Sequence, residues 1–181
     1  MEIMRVVITG PVGAGKSTFI RSISEIEVVD TDCRATELET TELKQNTTVA
    51  FDFGRLQFCP DMALHIYGTP GQERFDFMWD ILIDRAHAYI LLVAANRPQQ
   101  FRQARRIISF MNQRVDLPMI IGLTHSDLPE AWATEDVMSA LGYTDLNHQP
   151  PVVTVNPNEQ SSVIETAIAL IEQLTPTEPT V

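Results

Sequence analysis

The sequence predicts an α/β fold: a mostly parallel six-stranded sheet with one antiparallel edge strand and helices on both faces. Three observations predict it. Short runs rich in β-branched residues alternate with longer helix-like stretches, the pattern of strands joined by helical crossovers. Two of the strand-like runs are separated only by residues 54–61, too few for a crossover, so that pair forms an antiparallel hairpin. A glycine-rich turn falls between the first strand-like run and the first helical one.

Taken in order, residues 3–9 form a buried strand that stops at Gly10, and residues 16–24 a helix. The polar, acidic stretch 25–46 reads as a mobile loop. Strands at 48–53 and 62–67 make the hairpin, followed by a helix over 75–85 and a strand over 88–94. A helix over 99–113 and a strand over 119–124 come next. The fourth helix, 135–141, has the Thr134 hydroxyl as its cap and Gly142 just past its end. A strand over 152–155 leads to a helix over 159–174, capped by Asn158, with Val163, Ala167, Leu170 and Leu174 on its apolar side. One domain over 1–174 and a frayed tail over 175–181 complete the expectation.

With 181 residues, 44% of them hydrophobic and 20% charged, the chain can bury one substantial core. A formal net charge of -11, with no Lys/Arg run, argues against a nucleic-acid or anionic-membrane partner. Cys33 and Cys59 are too few for a disulfide framework or a metal cluster, which suits a reducing compartment. No leader peptide or membrane-length apolar run is apparent, Glu2 stands where myristoylation needs glycine, and Glu178-Pro179-Thr180-Val181 has no prenylation cysteine. The expectation is a cytoplasmic protein without its own membrane anchor.

Gly10-Pro11-Val12-Gly13-Ala14-Gly15-Lys16-Ser17-Thr18 fits G-x-x-x-x-G-K-[ST] between a strand and a helix. The chemistry needs that placement. Small residues let successive N–H groups curl round phosphates, the helix N-terminus adds positive dipole, the Lys16 ammonium bridges the outer phosphates, and Ser17 offers its hydroxyl to Mg²⁺. Gly10, Val12, Gly13, Ala14, Gly15, Lys16, Ser17 and Thr18 are therefore the expected phosphate-binding set.

Three further segments follow in order. Gly68-Thr69-Pro70-Gly71-Gln72-Glu73 resembles the D-T-A-G-Q-E segment of Ras-like GTPases, and Thr48-Val49-Ala50-Phe51-Asp52-Phe53 the T-I-G-F-N-V switch of the Arf group. Thr124-His125-Ser126-Asp127 follows the fifth strand where that superfamily has N-K-x-D. Over nearly its whole length the chain thus resembles the small GTPases, in particular the bacterial and archaeal Ras-like proteins related to the gliding-motility polarity switch. The resemblance implies a P-loop G domain, GTP/GDP and Mg²⁺ as ligands, switching between nucleotide states, slow intrinsic hydrolysis, and protein regulators such as Roadblock/LC7-domain proteins.

Residue by residue, it implies that Thr48 contacts Mg²⁺ and the γ-phosphate, with Thr47 as a competitor for that role. Gly71 senses the same phosphate, and Gln72 orients the attacking water. Asp127 accepts hydrogen bonds from guanine, while Thr124 and His125 replace the usual Asn and Lys. Pro157 has no N–H for the guanine O6, which leaves the Asn156 or Asn158 amide. Gly68 stands where the Walker-B Asp belongs, so Ser17, Thr48 and Asp52 are the metal candidates, Asp52 being either a substitute carboxylate or a hairpin surface charge. Gln72, Lys16 and Arg55 are the catalytic candidates; Arg55 and Arg74 read first as solvated charges, with Arg55 the choice if an arginine acts in cis. The alternatives are an adaptor that binds nucleotide with negligible hydrolysis, and a small-metabolite kinase, against which the Thr-Pro-Gly-Gln segment argues.

Overall fold

Alternation of apolar side chains along residues 3–9 serves two faces at once. In the computed structural model, which describes residues 2–30, 51–70 and 76–174, they form the central strand β1 (Glu2–Thr9), with Val6 and Ile8 facing one side of a sheet and Val7 the other. The chain continues through α1 (Lys16–Ile23), β2 (Val29–Asp30), β3 (Asp52–Cys59), β4 (Met62–Gly68), α2 (Asp76–Ile83), β5 (Ala88–Ala94), α3 (Phe101–Asn112), β6 (Met119–Thr124), α4 (Thr134–Ala140), β7 (Val152–Thr154) and α5 (Gln160–Leu174).

The sheet order is β2-β3-β4-β1-β5-β6-β7. β4, β1, β5, β6 and β7 run parallel, and β3 pairs antiparallel with both β4 and β2. Helices α1 and α5 cover one face, with Phe19, Ile20, Ile23, Val163 and Leu170 packed on Ile8, Ile66, Ile90 and Leu92. The other face carries α2, α3 and α4 through Trp79, Ile83, Ile107, Met111 and Val137 over Val7, Leu91, Val93 and Ile121. An eight-residue helix such as α1 would not persist alone. Phe19, Ile20 and Ile23 are all but fully buried, at roughly 1.5–3 kcal/mol each, and that packing holds it.

The expected fold is therefore present, with four corrections of detail. The hairpin strand lies later than 48–53: β3 runs from Asp52 to Cys59 and the connection shrinks to a turn at Pro60 and Asp61. Gly54, expected to open the connection, lies within β3, and glycine is needed there because a Cβ would lie 2.7 Å from Ile20 Cγ2. Within the stretch expected to be loop, β2 pairs Val29 with Phe53 and Asp30 with Asp52, so the antiparallel strand of the hairpin is not itself the sheet edge.

Two caps differ as well. α4 begins at Thr134 itself, after Ala133, and no side chain caps it; Gly142 does follow its end, with φ +100°. At α5 the first helical carbonyl is that of Glu159, which accepts from the Val163 N–H, so the capping position falls one residue beyond Asn158. The predicted apolar side of this helix is buried as expected through Val163, Ala167 and Leu170. Cys59 is a free thiol, while Cys33 and the 175–181 tail lie outside the described residues.

Candidate functional site

Strand order reverses at β1: β4 lies on one side of it, and the chain then crosses to place β5 on the other. In such sheets the crevice beyond the carboxyl ends at that point is where ligands bind. The turn from Gly10 to Gly15 lies there, with positive φ at Gly10, Gly13 and Gly15, and α1 starts at Lys16. Residues 10–18 thus form the strand–loop–helix that the motif requires.

Lys16 is buried at the base of this loop. Its Nζ donates to the Gly10 and Pro11 carbonyls, 2.8 Å each, and burial pushes its pKa down to about 8, against the opposing pull of the Asp52 carboxylate. The next residue, Ser17, donates its hydroxyl proton to Asp52 Oδ2. That bond leaves the Ser17 oxygen lone pairs free for a cation and sets a carboxylate behind it, a donor set that fits Mg²⁺. Among the described residues no cluster of three or more His, Cys, Asp and Glu side chains could hold a metal, so phosphate oxygens would have to complete such a site.

The absent Walker-B carboxylate has a geometric counterpart. Asp52 pairs directly across the hairpin with Gly68, and a Cβ at Gly68 would lie 3.2 Å from Asp52 Cβ, 3.5 Å from its Oδ2 and 2.7 Å from Ile20 Cδ1. The aspartate on β3 occupies the space beside a bare β4 backbone. Just beyond, Thr69 donates to the Thr9 hydroxyl at 3.0 Å, both fully buried, and Trp79 Nε1 donates to the Pro70 carbonyl at 3.3 Å. The start of the following segment is thereby fixed to β1 and α2. Thr47, Thr48, Gly71, Gln72 and Arg74 lie outside the described residues.

On the other flank, Thr124 ends β6 fully buried and donates its hydroxyl to the Ala14 carbonyl at 2.8 Å. Thr124 thereby ties this loop to the phosphate loop. His125 takes φ +56° with Nδ1 3.1 Å from Thr124 Oγ1, and Asp127 is exposed. Both amides considered for the guanine O6 are engaged: the Asn156 N–H donates to Ser162 Oγ at 3.0 Å, and the Asn158 N–H to Asn156 Oδ1 at 3.1 Å. Ser22 donates to the Pro157 carbonyl, holding that segment against α1.

Arg55 is not brought to the loop. It stands three residues along β3 from Asp52, about 10 Å further, and its odd spacing turns it to the opposite sheet face, where its Nε lies 3.8 Å from Glu25 Oε1. Its guanidinium instead helps hold His65 below the usual histidine pKa, second to burial and ahead of Arg5. Two residues that no sequence motif singles out do reach the loop: Gln100 Nε2 donates to the Val12 carbonyl at 2.9 Å, and Arg97 lies against Gly13. The only hint in the sequence is that both follow the carboxyl end of a central strand.

A family model described as "Conserved hypothetical ATP binding protein" matches residues 8–177. The chain belongs to that family. Within it, the motif and fold together make this a P-loop protein of nucleotide-binding type. MJ1339, an uncharacterized protein of Methanocaldococcus jannaschii, is 28% identical over 94 residues, 52% of this chain and 53% of that protein. The chain thus matches about half the length of that curated relative. Among solved structures, the Arl6 BBS3 small GTPase of Trypanosoma brucei with bound GppNp superposes at TM-score 0.66 and 17% identity, covering 95% of this chain and 97% of that one. That likeness shows that this member of the family has the small-GTPase fold. Among its described residues no helix is long and apolar enough to cross a membrane.

Proposed function

We propose that the chain is a GTP-binding molecular switch that hydrolyses GTP slowly and engages protein partners according to its nucleotide state. The observation that carries this reading is the convergence of three loops on the carboxyl edge of the sheet: the phosphate loop with Lys16 inside it, the Ser17–Asp52 pair, and the Thr124 loop tied to Ala14. Lys16 supplies the cation for the outer phosphates, Ser17 a metal ligand, and Asp52 the carboxylate that steadies it. Mg²⁺, when bound, neutralises charge between the outer phosphates. By sequence resemblance, Thr48 and Gly71 sense the γ-phosphate and Gln72 orients water. The same resemblance nominates Roadblock/LC7-domain proteins as partners, and the sparse cysteines suit a cytoplasmic setting.

An adenine-nucleotide reading stands beside it, favoured by the family's description and by the engaged Asn156 and Asn158 amides. The base is decided by chromatography of nucleotide released from denatured protein and by competition between GTP and ATP. For guanine, Asp127→Asn is expected to weaken GTP and improve xanthosine triphosphate, whose changed edge presents an acceptor to the new amide. No change in preference would remove Asp127 from the base site. Single-turnover hydrolysis separates a slow GTPase from an adaptor that only binds.

Asp52 gives a separate expectation. Asp52→Asn removes the charge behind Ser17, so the Mg²⁺ concentration needed for tight nucleotide binding rises about 10- to 100-fold. Metal titration at fixed nucleotide measures it. An unchanged Mg²⁺ dependence would leave Asp52 as a hairpin residue.

A further inference from the structure

The turn after β5 presses a second cation onto the phosphate loop. A Cβ built on Gly13 would lie 2.2 Å from Arg97 Nη1, 3.2 Å from its Cζ and 3.6 Å from its Nη2. The guanidinium therefore takes the place where any other residue at position 13 would carry a side chain, and Gly13, at φ +77°, is the residue type that admits both the backbone and the neighbour. The arrangement is built in from both ends. The Arg97 N–H donates to the Ala94 carbonyl at 3.1 Å, the Gln100 N–H to the Arg97 carbonyl at 2.9 Å, and the Gln100 side chain to the Val12 carbonyl.

Nothing within the described residues uses the charge so placed. Arg97 is half-buried, and its guanidinium has no ion pair and no side-chain hydrogen bond among them. Arginine carries five N–H donors in a fixed fork suited to phosphate oxygens. In a chain of net charge -11, a guanidinium without a carboxylate partner among the described residues is itself informative. On the same turn Asn96 Oδ1 and Gln100 Oε1 are buried acceptors without a hydrogen-bond partner among the described residues; they call for a donor, so the phosphate contact is assigned to the Arg97 guanidinium alone.

We propose that Arg97 is a phosphate-binding residue of this site, contacting the nucleotide polyphosphate from the apex of the loop while Lys16 serves it from the base. The inference rests on the reading of residues 10–18 as a nucleotide site. Arg97 takes the contribution that Arg55, on the other face of the sheet, does not make in this structure. Charge, not bulk, is what Arg97 supplies, and that distinction is open to measurement.

The test uses the full chain and calorimetric titration with GppNp, AppNp and GDP, comparing Arg97→Met, which keeps apolar bulk on Gly13, with Arg97→Lys, which keeps charge. Arg97→Met is expected to weaken the tighter-binding triphosphate analogue about 10- to 100-fold and to flatten the dependence of affinity on salt, with Arg97→Lys recovering part of the loss. Melting of the nucleotide-free proteins monitors the packing role. Equal affinities for wild type, Arg97→Met and Arg97→Lys, or losses in both variants that track a lowered melting temperature, would overturn the proposal. Lys16→Ala is the control for the site: if it abolishes binding while Arg97→Met does not weaken it, only the role of Arg97 fails. If wild type binds none of the three probes, the nucleotide reading fails and this inference with it.

Discussion

Lys16→Ala is expected to lower nucleotide affinity by about two to four orders of magnitude while the nucleotide-free protein still folds. The size follows from what Lys16 does and the tolerance from what it costs. Its ammonium is buried, and among the described residues it is satisfied only by the Gly10 and Pro11 carbonyls. Burial lowers its pKa from 10.5 to about 8, so between those values the unfolded chain holds a proton that the folded chain has released. Stability therefore rises with pH through that window, and below it the buried charge is destabilising by something on the order of 3 kcal/mol. Removing the cation relieves that strain as it strips two carbonyls of their donor, and the two effects oppose each other in the melting temperature.

The same lysine gives binding a pH signature. Phosphate oxygens favour the charged form, so above pH 8 the wild type must take up a proton to bind, and affinity falls toward about tenfold per pH unit. Lys16→Ala removes that dependence. Calorimetry in buffers of different ionisation enthalpy reads the proton directly. A folded variant that binds GTP and ATP as the wild type does would mean that the loop has been misassigned.

Gly10→Ala is expected to damage the fold itself. Gly10 has φ +144°, and a Cβ there would sit 2.2 Å from the Leu92 carbonyl oxygen and 3.2 Å from its carbon. These are backbone atoms of β5 in the middle of the core, which cannot swing aside as the end of a side chain could. Backbone strain and collision together are worth about 4 kcal/mol or more, a large share of the stability of a domain this size. Insoluble expression, or a melting temperature lower by about 10 °C or more, is the expected outcome. An alanine variant that melts with the wild type would contradict the placement of β1 against β5.

What could be read from the sequence was whatever local periodicity or a compact motif encodes. Residues 88–94 and 119–124 are so uniformly apolar that only strands buried on both faces fit, and the Gly10–Thr18 motif carries its own strand and helix with it. Gly54 misled because glycine in a strand and glycine in a turn look alike until Ile20, more than thirty positions away, is seen pressed against it. The caps at α4 and α5 failed by one position, the usual margin where several polar residues compete for a helix end. Arg55 and Arg97 show the limit at the site. Register and pleat on β3 turn Arg55 away from the phosphate loop, whereas the turn after β5 lays Arg97 against it, and neither placement is written in local sequence. The roles of Thr48, Gly71 and Gln72 rest on the sequence resemblance alone.

The meeting of Asp52 and Gly68 across the hairpin also constrains how this chain can have changed through time. Gly68→Asp made alone would press a second carboxylate against the first and drive its Cβ into Ile20. Asp52→Gly made alone would leave Ser17 without its acceptor. Each single change is expected to cost this chain more than it gains, so the two positions act as one unit and their effects should be non-additive.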